Sequence, residues 1–187
     1  MVYIILGTGF EEIEAMTPAD VLRRAGVDVA FVGIADKTVT GAHGIKVLAD
    51  EAWGEQDILN AELVILPGGA VRQAGNYGCE AHVLSKVKER CLAGDKLAAI
   101  CAGPTVIGEL GLLEGKCAVC YPGMEDMMRG AKVMEGHKVV LDGNVMTAQG
   151  PGAAGAFALN ILAWLRGKEI AEEVRGEMYM SPVDYVL

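Results

Sequence analysis

The chain has 187 residues, of which 52% are hydrophobic and 5% aromatic, and its formal net charge is −9. This length suits one domain with a single full-size core, so we predict one domain over residues 1–187. The negative charge opposes binding to nucleic acid and to anionic membranes, and no apolar run approaches the roughly 20 residues that cross a bilayer, so neither partner is expected.

The N-terminus and the cysteines predict a cytoplasmic protein. Met1–Leu6 is an apolar strand pattern without a basic segment or cleavage site before it, which argues against secretion. Five cysteines in a chain of this size favour free thiols in a reducing compartment. Cys117 and Cys120 form a C-x-x-C, but in a strand these positions face opposite sides, so we predict no metal site and no disulfide there.

In chain order, short apolar runs alternate with helical patterns. The alternation predicts a mainly parallel sheet with right-handed crossovers and helices on both faces, a flavodoxin-like α/β sandwich of three layers. Two segments with glycine turn signals, Thr38–Leu48 and Ala131–Thr147, are predicted to form hairpins added to this core. The predicted strands are Val2–Leu6, Val27–Val32, Leu63–Leu66 and Leu97–Ile100, and the predicted helices are Glu11–Ala25, Glu80–Ala93, Thr105–Leu112 and Gly152–Leu165.

Cys101 lies where a buried strand turns directly into a helix. Ala99 and Gly103 keep its neighbours small, which is the pattern of a nucleophile elbow with sulfur in place of a hydroxyl. Amides of a helix that begins near Pro104 would favour the thiolate, so we predict a reactive thiol. The alternative is a small buried hydrophobe at a strand end.

Two other predicted strand ends reach the same edge of the sheet as Cys101. One is followed by Gly7-Thr8-Gly9 and the other by Pro67-Gly68-Gly69. The backbone amides of Gly68 and Gly69 can turn toward an oxyanion, although a plain tight turn explains the pair equally well. The first turn resembles a dinucleotide fingerprint, but Glu12 occupies its third glycine position, so no nucleotide cofactor is expected.

Glu14 occupies an apolar stripe of the first predicted helix, whereas Glu11 and Glu12 are ordinary acids of a first helical turn. Burial disfavours the charged carboxylate, so the pKa of Glu14 should rise and a neutral carboxyl can donate a hydrogen bond. Beside Cys101 it would stabilise the thiolate, move protons or hold an oxidised sulfur. The alternative is a partly exposed acid at a frayed helix start.

With these residues in place, the chain resembles the ThiJ/PfpI superfamily, whose domain is of the class I glutamine amidotransferase-like type. It is most similar to the branch that includes the parkinsonism-associated protein deglycase and the bacterial protein YajL. The matching segments lie in family order along almost the whole chain: Gly9–Ala15, Pro18–Gly26, Leu66–Gly69, Ala98–Pro104 and Gln149–Gly152.

The resemblance implies a homodimer with an activity that needs no cofactor, and no metal is expected. It implies that Cys101 is the nucleophile and the oxidation-sensitive thiol, and that Glu14 is its protonated partner. The further site residues implied are the backbone donors Gly68, Gly69 and Ala102 and the pocket residues Tyr121, Pro122, Gly150 and Pro151.

Two positions depart from relatives of known chemistry. Peptidase-like members carry histidine directly after the cysteine, and this chain has Ala102, so a Cys–His peptidase is not supported. The glyoxalase-competent human relative carries histidine before a pocket proline, where this chain has Tyr121-Pro122, and a phenol cannot shuttle protons near pH 7 as imidazole does. His43, His82 and His137 are predicted to be solvated surface residues, with His43 near the position of a family arginine at a dimer contact.

Two functional hypotheses follow from the same residues. In the first, the protein is a glyoxalase III or deglycase type of enzyme that acts on small reactive carbonyls or glycated substrates through Cys101 and Glu14. In the second, it is an oxidative-stress sensor or redox-regulated chaperone in which Cys101 is oxidised. The sequence does not separate them.

Overall fold

A computed structural model describes all residues from Met1 to Leu187. It contains eleven strands and five α-helices. The strands are Val2–Leu6 (β1), Val29–Gly33 (β2), Thr38–Thr40 (β3), Lys46–Leu48 (β4), Glu51–Ala52 (β5), Leu63–Leu66 (β6), Leu97–Ile100 (β7), Cys117–Ala118 (β8), Lys132–Val133 (β9), Val139–Asp142 (β10) and Val145–Ala148 (β11). The helices are Glu12–Arg24 (α1), Ala81–Ala93 (α2), Gly103–Glu109 (α3), Ala154–Arg166 (α4) and Lys168–Glu177 (α5).

Seven of the strands form one central sheet in the order β10-β11-β7-β6-β1-β2-β5. Every neighbouring pair is parallel except β10 and β11, which are antiparallel. Strands β1, β6 and β7 are buried along their whole length, because helices cover both faces of the sheet. The mainly parallel, flavodoxin-like α/β prediction is therefore confirmed.

Alternate side chains of the central strands enter two separate cores, as the pleat requires. Ile4 and Ile65 pack in a core of 30 buried residues with α1, α4 and α5, whereas Ile5 and Val64 pack in a core of 25 buried residues with α2 and α3. This arrangement gives the helix–sheet–helix layers. It also places α1, which carries Glu14, on the opposite face of the sheet from α3, which begins after Cys101.

The structure corrects one predicted hairpin and confirms the other. Strands β3 and β4 form the first as an antiparallel pair outside the main sheet. The second is shorter than predicted, because β9 pairs with β8, and only β10 and β11 form the hairpin around Gly143. Strand β11 also pairs with β7, so this segment belongs to the central sheet and is not an addition to it.

The sequence analysis missed helix α5 and made no prediction for the residues that follow it. Ala171 and Val174 are the buried residues of α5, and they pack in the larger core. The tail returns over α4, where Asn160 accepts a hydrogen bond from Val186 N at 2.9 Å and donates one to Asp184 O at 3.0 Å. None of the helices combines the length and the hydropathy that a membrane span requires.

Candidate active site

Cys101 occupies the elbow between β7 and α3, as predicted, and its backbone is strained. Its φ of +65° lies in the left-handed region, which is uncommon for a residue with a side chain. Cys101 N donates to Ala148 O and its carbonyl accepts from Tyr121 N, both at 2.9 Å. Neighbouring segments on two sides therefore hold the strained turn, and Cys101 as a whole is 8% exposed.

Glu14 lies fully buried beside this thiol. Its Oε2 accepts a hydrogen bond from Gly68 N at 2.7 Å, and its Oε1 is buried without a hydrogen-bond partner of good geometry. Burial is the main cause that raises the pKa of Glu14 to about 7, against the opposing effects of the Gly68 amide and the Cys101 side chain. Because Oε2 accepts from an amide, Oε1 is the oxygen that carries the proton of the neutral acid.

The environment of Cys101 differs from the prediction in one respect. Burial, followed by the charge of Glu14 and a hydrogen bond with it, raises the pKa of the Cys101 thiol to about 12, whereas the amides of Gly69 and Ala102 lower it less. The start of α3 alone therefore does not hold a thiolate, contrary to expectation. The contribution of the Glu14 charge vanishes when the carboxyl is protonated, so a thiolate at Cys101 requires the proton on Glu14.

The two glycines of the β6–α2 loop have different tasks. Gly68 has no room for a side chain, since a Cβ there would lie 2.5 Å from Cys101 Cβ and 2.7 Å from Glu14 Oε2. Its amide is bound to Glu14 and is not free for an oxyanion, contrary to the prediction. Gly69 has φ +92°, and its amide and that of Ala102 lower the pKa of the Cys101 thiol.

The predicted pocket residues lie together beside the elbow. A cavity of about 320 Å³ is lined by the predicted residues Tyr121, Pro122, Gly150 and Pro151, and by Lys138, which the sequence analysis did not single out. Cys101 is not among the residues that line this cavity, although it is joined to Tyr121 by the backbone hydrogen bond described above. A Cβ at Gly150 would approach the Tyr121 ring to 3.1 Å, so the ring packs closely on this turn.

Glu12 and His43 form a second cluster, which the sequence analysis missed. Glu12 is 7% exposed and accepts hydrogen bonds from His43 N and from His43 Nδ1, both at 2.8 Å. Glu12 is thus no ordinary first-turn acid, and His43 is exposed but anchored. Ligand atoms of Glu11, Glu12 and His43 lie within 4.8 Å of one another, a spacing that a cation would accept, but the hydrogen bonds already account for it.

Fold and site together define a class: a parallel α/β sandwich with a cysteine nucleophile elbow and a buried carboxyl against the thiol. The model of the DJ-1/PfpI family matches residues 1–164. The chain belongs to this family.

Several known proteins resemble the chain over most of its length. It is 35% identical over 173 residues to protein dj-1beta of Drosophila melanogaster, which covers 91% of this chain and 92% of that protein. The crystal structure of the same fly protein superposes with a TM-score of 0.89 at 34% identity, over 97% of this chain and 98% of that one. The glutathione-independent glyoxalase DJR-1.2 of Caenorhabditis elegans is 32% identical, over 85% of this chain and 84% of its own length.

Two plant relatives are considerably longer than this chain. The DJ-1 homolog B of Arabidopsis thaliana is 35% identical over 97% of the chain, but the match spans only 42% of the plant protein.

Proposed function

We propose that the protein is a cofactor-independent enzyme that converts small α-oxoaldehydes into hydroxy acids at Cys101, a glyoxalase III or deglycase type of activity. The observation that carries the proposal is the buried Glu14 carboxyl against the Cys101 thiol, with a pKa raised to about 7. An acid–base group works best when its pKa lies near the working pH. The likeness to a glutathione-independent glyoxalase supports the same chemistry.

In this scheme Glu14 carries each proton that moves on the substrate. With the thiol proton on Glu14, the Cys101 thiolate adds to the aldehyde carbon, and the new alkoxide takes the proton from Glu14 to give a hemithioacetal. The Glu14 carboxylate then removes the hydrogen from this carbon and gives it to the oxygen of the adjacent carbonyl, which leaves an enediol bound to the sulfur. Glu14 next takes the proton of the first hydroxyl and gives it to the second carbon, so that the first carbon becomes the carbonyl. The product is a thioester, and water hydrolyses it to the hydroxy acid and the free thiol.

The backbone supplies the oxyanion donors in this scheme. The amides of Gly69 and Ala102 lower the pKa of the Cys101 thiol, and they would donate hydrogen bonds to the oxyanion that develops beside the sulfur. Gly68 acts on Glu14 instead. The cavity beside Tyr121 and Pro122 would receive the rest of the substrate.

A methylglyoxal assay of D-lactate formation tests the enzyme. We expect Cys101→Ser to abolish turnover and Glu14→Gln to lower it at least about 100-fold, because an amide cannot exchange the proton. Tyr121→His should raise turnover, since an imidazole near pH 7 can share the proton transfers. Equal D-lactate production by wild type and Cys101→Ser would refute the proposal.

A redox sensor is the second candidate, and the same contact favours it. A neutral Glu14 carboxyl can donate a hydrogen bond to a sulfinate at Cys101, which stabilises the oxidised state. Mapping of oxidised peptides by mass after graded peroxide treatment tests this role. Cys101 should oxidise before the other buried thiols, Cys91 and Cys120, and Glu14→Gln should change that order; oxidation of all three at one rate would remove the basis for sensing.

We also propose that two copies of the chain form the working unit. Ile13 and Ile45 are 49% and 57% exposed, and a hydrogen bond from Ile45 N to the Glu12 side chain links the two segments that carry them. An apolar surface formed by the start of α1 and the tip of the β3–β4 hairpin suits a second protomer. Sedimentation should show a dimer for the wild type and a monomer for Ile13→Glu.

A further inference from the structure

Tyr77 is a fully buried residue to which the proposed function assigns no task. It follows Asn76 in the loop between β6 and α2, and its ring packs in the smaller of the two cores. Its hydroxyl has one hydrogen-bond partner, Pro67 O, at 2.5 Å. A short bond from a buried phenol to a backbone carbonyl holds that carbonyl in a fixed direction.

The carbonyl of Pro67 and the amide of Gly68 belong to the same planar peptide group. The Tyr77 hydroxyl donates to the oxygen of this peptide group, and the Gly68 N–H of the same group donates to Glu14 Oε2 at 2.7 Å. Because the peptide is trans, the two groups point in opposite directions along one plane. Rotation of this plane would therefore break both hydrogen bonds at once.

Two glycines make room for this arrangement. A Cβ at Gly103, in the elbow, would lie 3.2 Å from the Tyr77 hydroxyl and 2.9 Å from Leu66 O. A Cβ at Gly7 would lie 2.5 Å from Asn76 Cα, and the Asn76 side chain accepts from Tyr77 N at 2.7 Å and donates to Thr8 O at 2.9 Å. Tyr77 is thus held by the same strand-end loops that carry the candidate active site.

We propose that Tyr77 is a positioning residue for the Glu14–Cys101 pair, because its hydroxyl orients and polarises the Pro67–Gly68 peptide that donates to the Glu14 carboxylate. A carbonyl that accepts a strong hydrogen bond makes the N–H of its own peptide a better donor. The hydroxyl of Tyr77 therefore stabilises the charged form of Glu14 from a distance. It does so without contact with a substrate.

The charged groups around the two side chains are few. Glu14 interacts with Cys101 and Glu11, and Tyr77 interacts with Glu14, Cys101 and Arg72. Burial, together with the charges of Glu14 and Cys101, raises the pKa of Tyr77 well above its ordinary value. The phenol consequently stays a protonated donor over the whole range in which Glu14 titrates.

Titration of the Glu14 carboxyl tests the proposal without any measurement of turnover. The probe is the ¹³C chemical shift of the Glu14 side-chain carboxyl, assigned by its absence in Glu14→Gln. In Tyr77→Phe the titration midpoint should rise by roughly half a pH unit, the size expected from a weakened hydrogen bond to a charged group. The matched control is Tyr185→Phe, which loses a hydroxyl bond to Glu172; neither residue is among the groups that act on Glu14 or Cys101, so the midpoint should stay unchanged.

The result that would overturn the proposal is a folded Tyr77→Phe with the wild-type midpoint, or an equal shift in the Tyr185 control. If Tyr77→Phe does not fold, wild-type protein grown with 3-fluorotyrosine supplies a second measurement. Fluorine makes the hydroxyl a stronger donor, so the Glu14 midpoint should fall, and an unchanged midpoint would refute the positioning role. The inference rests on the proposed function only for the catalytic role of Glu14 and Cys101. If the wild type does not turn over methylglyoxal but Tyr77→Phe shifts the Glu14 midpoint as expected, the enzyme proposal fails and the positioning role stands.

Discussion

In the pair formed by Glu14 and Cys101, only one of the two groups carries a negative charge at a time. Both side chains are buried; the Glu14 charge raises the pKa of the Cys101 thiol, whereas the hydrogen bond with the Cys101 side chain lowers the pKa of Glu14. A carboxyl and a thiol in separate places would have independent protonation states, whereas here the location of one proton decides whether the sulfur is nucleophilic. This coupling is the property that serves either aldehyde chemistry or oxidant sensing.

Glu14 also makes the stability of the protein depend on pH. Its pKa rises from 4.5 in the unfolded chain to about 7 in the folded protein, so the folded state binds the proton more tightly. The stabilisation of folding by this proton is complete below about pH 4.5 and is lost as the pH rises through about 7. The difference corresponds to roughly 3 kcal/mol in the free energy of unfolding.

Urea unfolding of wild type and Glu14→Gln at several pH values measures this effect. Relative to the variant, which lacks the titrating group, the wild type should lose stability between pH 4.5 and 8. Other carboxylates are common to both proteins and cancel in the comparison. A constant difference across this range would show that Glu14 keeps an ordinary pKa in the folded protein.

At the scale of the elements, hydrogen bonds to buried polar side chains join segments that are distant in the chain. Arg90 of α2 has no exposed surface, and its guanidinium donates to Ile58 O at 2.7 Å, to Leu59 O at 3.0 Å and to Lys96 O at 3.3 Å. It thereby ties α2 to the turn before β6 and to the start of β7. These are the two strands that carry the glycine loop and Cys101.

Arg90→Met should therefore destabilise the fold by at least about 2 kcal/mol, because buried carbonyls lose their donors while the aliphatic volume is kept. Urea denaturation gives the free energy of unfolding. Lys88→Met on the exposed side of the same helix is the matched control and should change stability little. Similar losses in the two variants would mean that the guanidinium contacts contribute nothing specific.

At the scale of the whole molecule, the C-terminal tail packs against helices α4 and α5. Asn160 of α4 is fully buried and binds the tail at Asp184 and Val186, while Tyr185 donates to Glu172 of α5 at 2.8 Å. The apolar side chains of Val183 and Val186 pack on the larger core. One buried amide thus fixes the path of the last residues.

Asn160→Leu should release this tail, since leucine has a similar volume but satisfies neither backbone group. We expect amide hydrogen exchange to increase at least about tenfold at residues 183–187, with little change in the central strands. The matched variant Tyr185→Phe keeps Asn160 and should increase exchange less. Equal protection of the tail in wild type and Asn160→Leu would show that apolar packing alone holds it.

The sequence by itself determined the local elements and their order. Uninterrupted apolar runs predicted β1, β6 and β7, the stripe of α1 predicted a buried Glu14, and small residues around Cys101 predicted the elbow. These features depend on periodicity and backbone sterics within a few residues, which are written directly in the chain. Helix α5 carried such a signal in the spacing of Ala171 and Val174, but its many charged residues obscured it.

Only the tertiary structure decided which groups meet. Gly68 binds Glu14 across 54 residues of sequence, Glu12 binds His43 across 31, and Tyr77 orients a peptide ten residues before it. No local pattern encodes these contacts, because they depend on how the loops at the strand ends approach one another after the sheet forms. For the same reason the protonation of Cys101, which the sequence analysis attributed to the start of α3, is governed by burial and by Glu14.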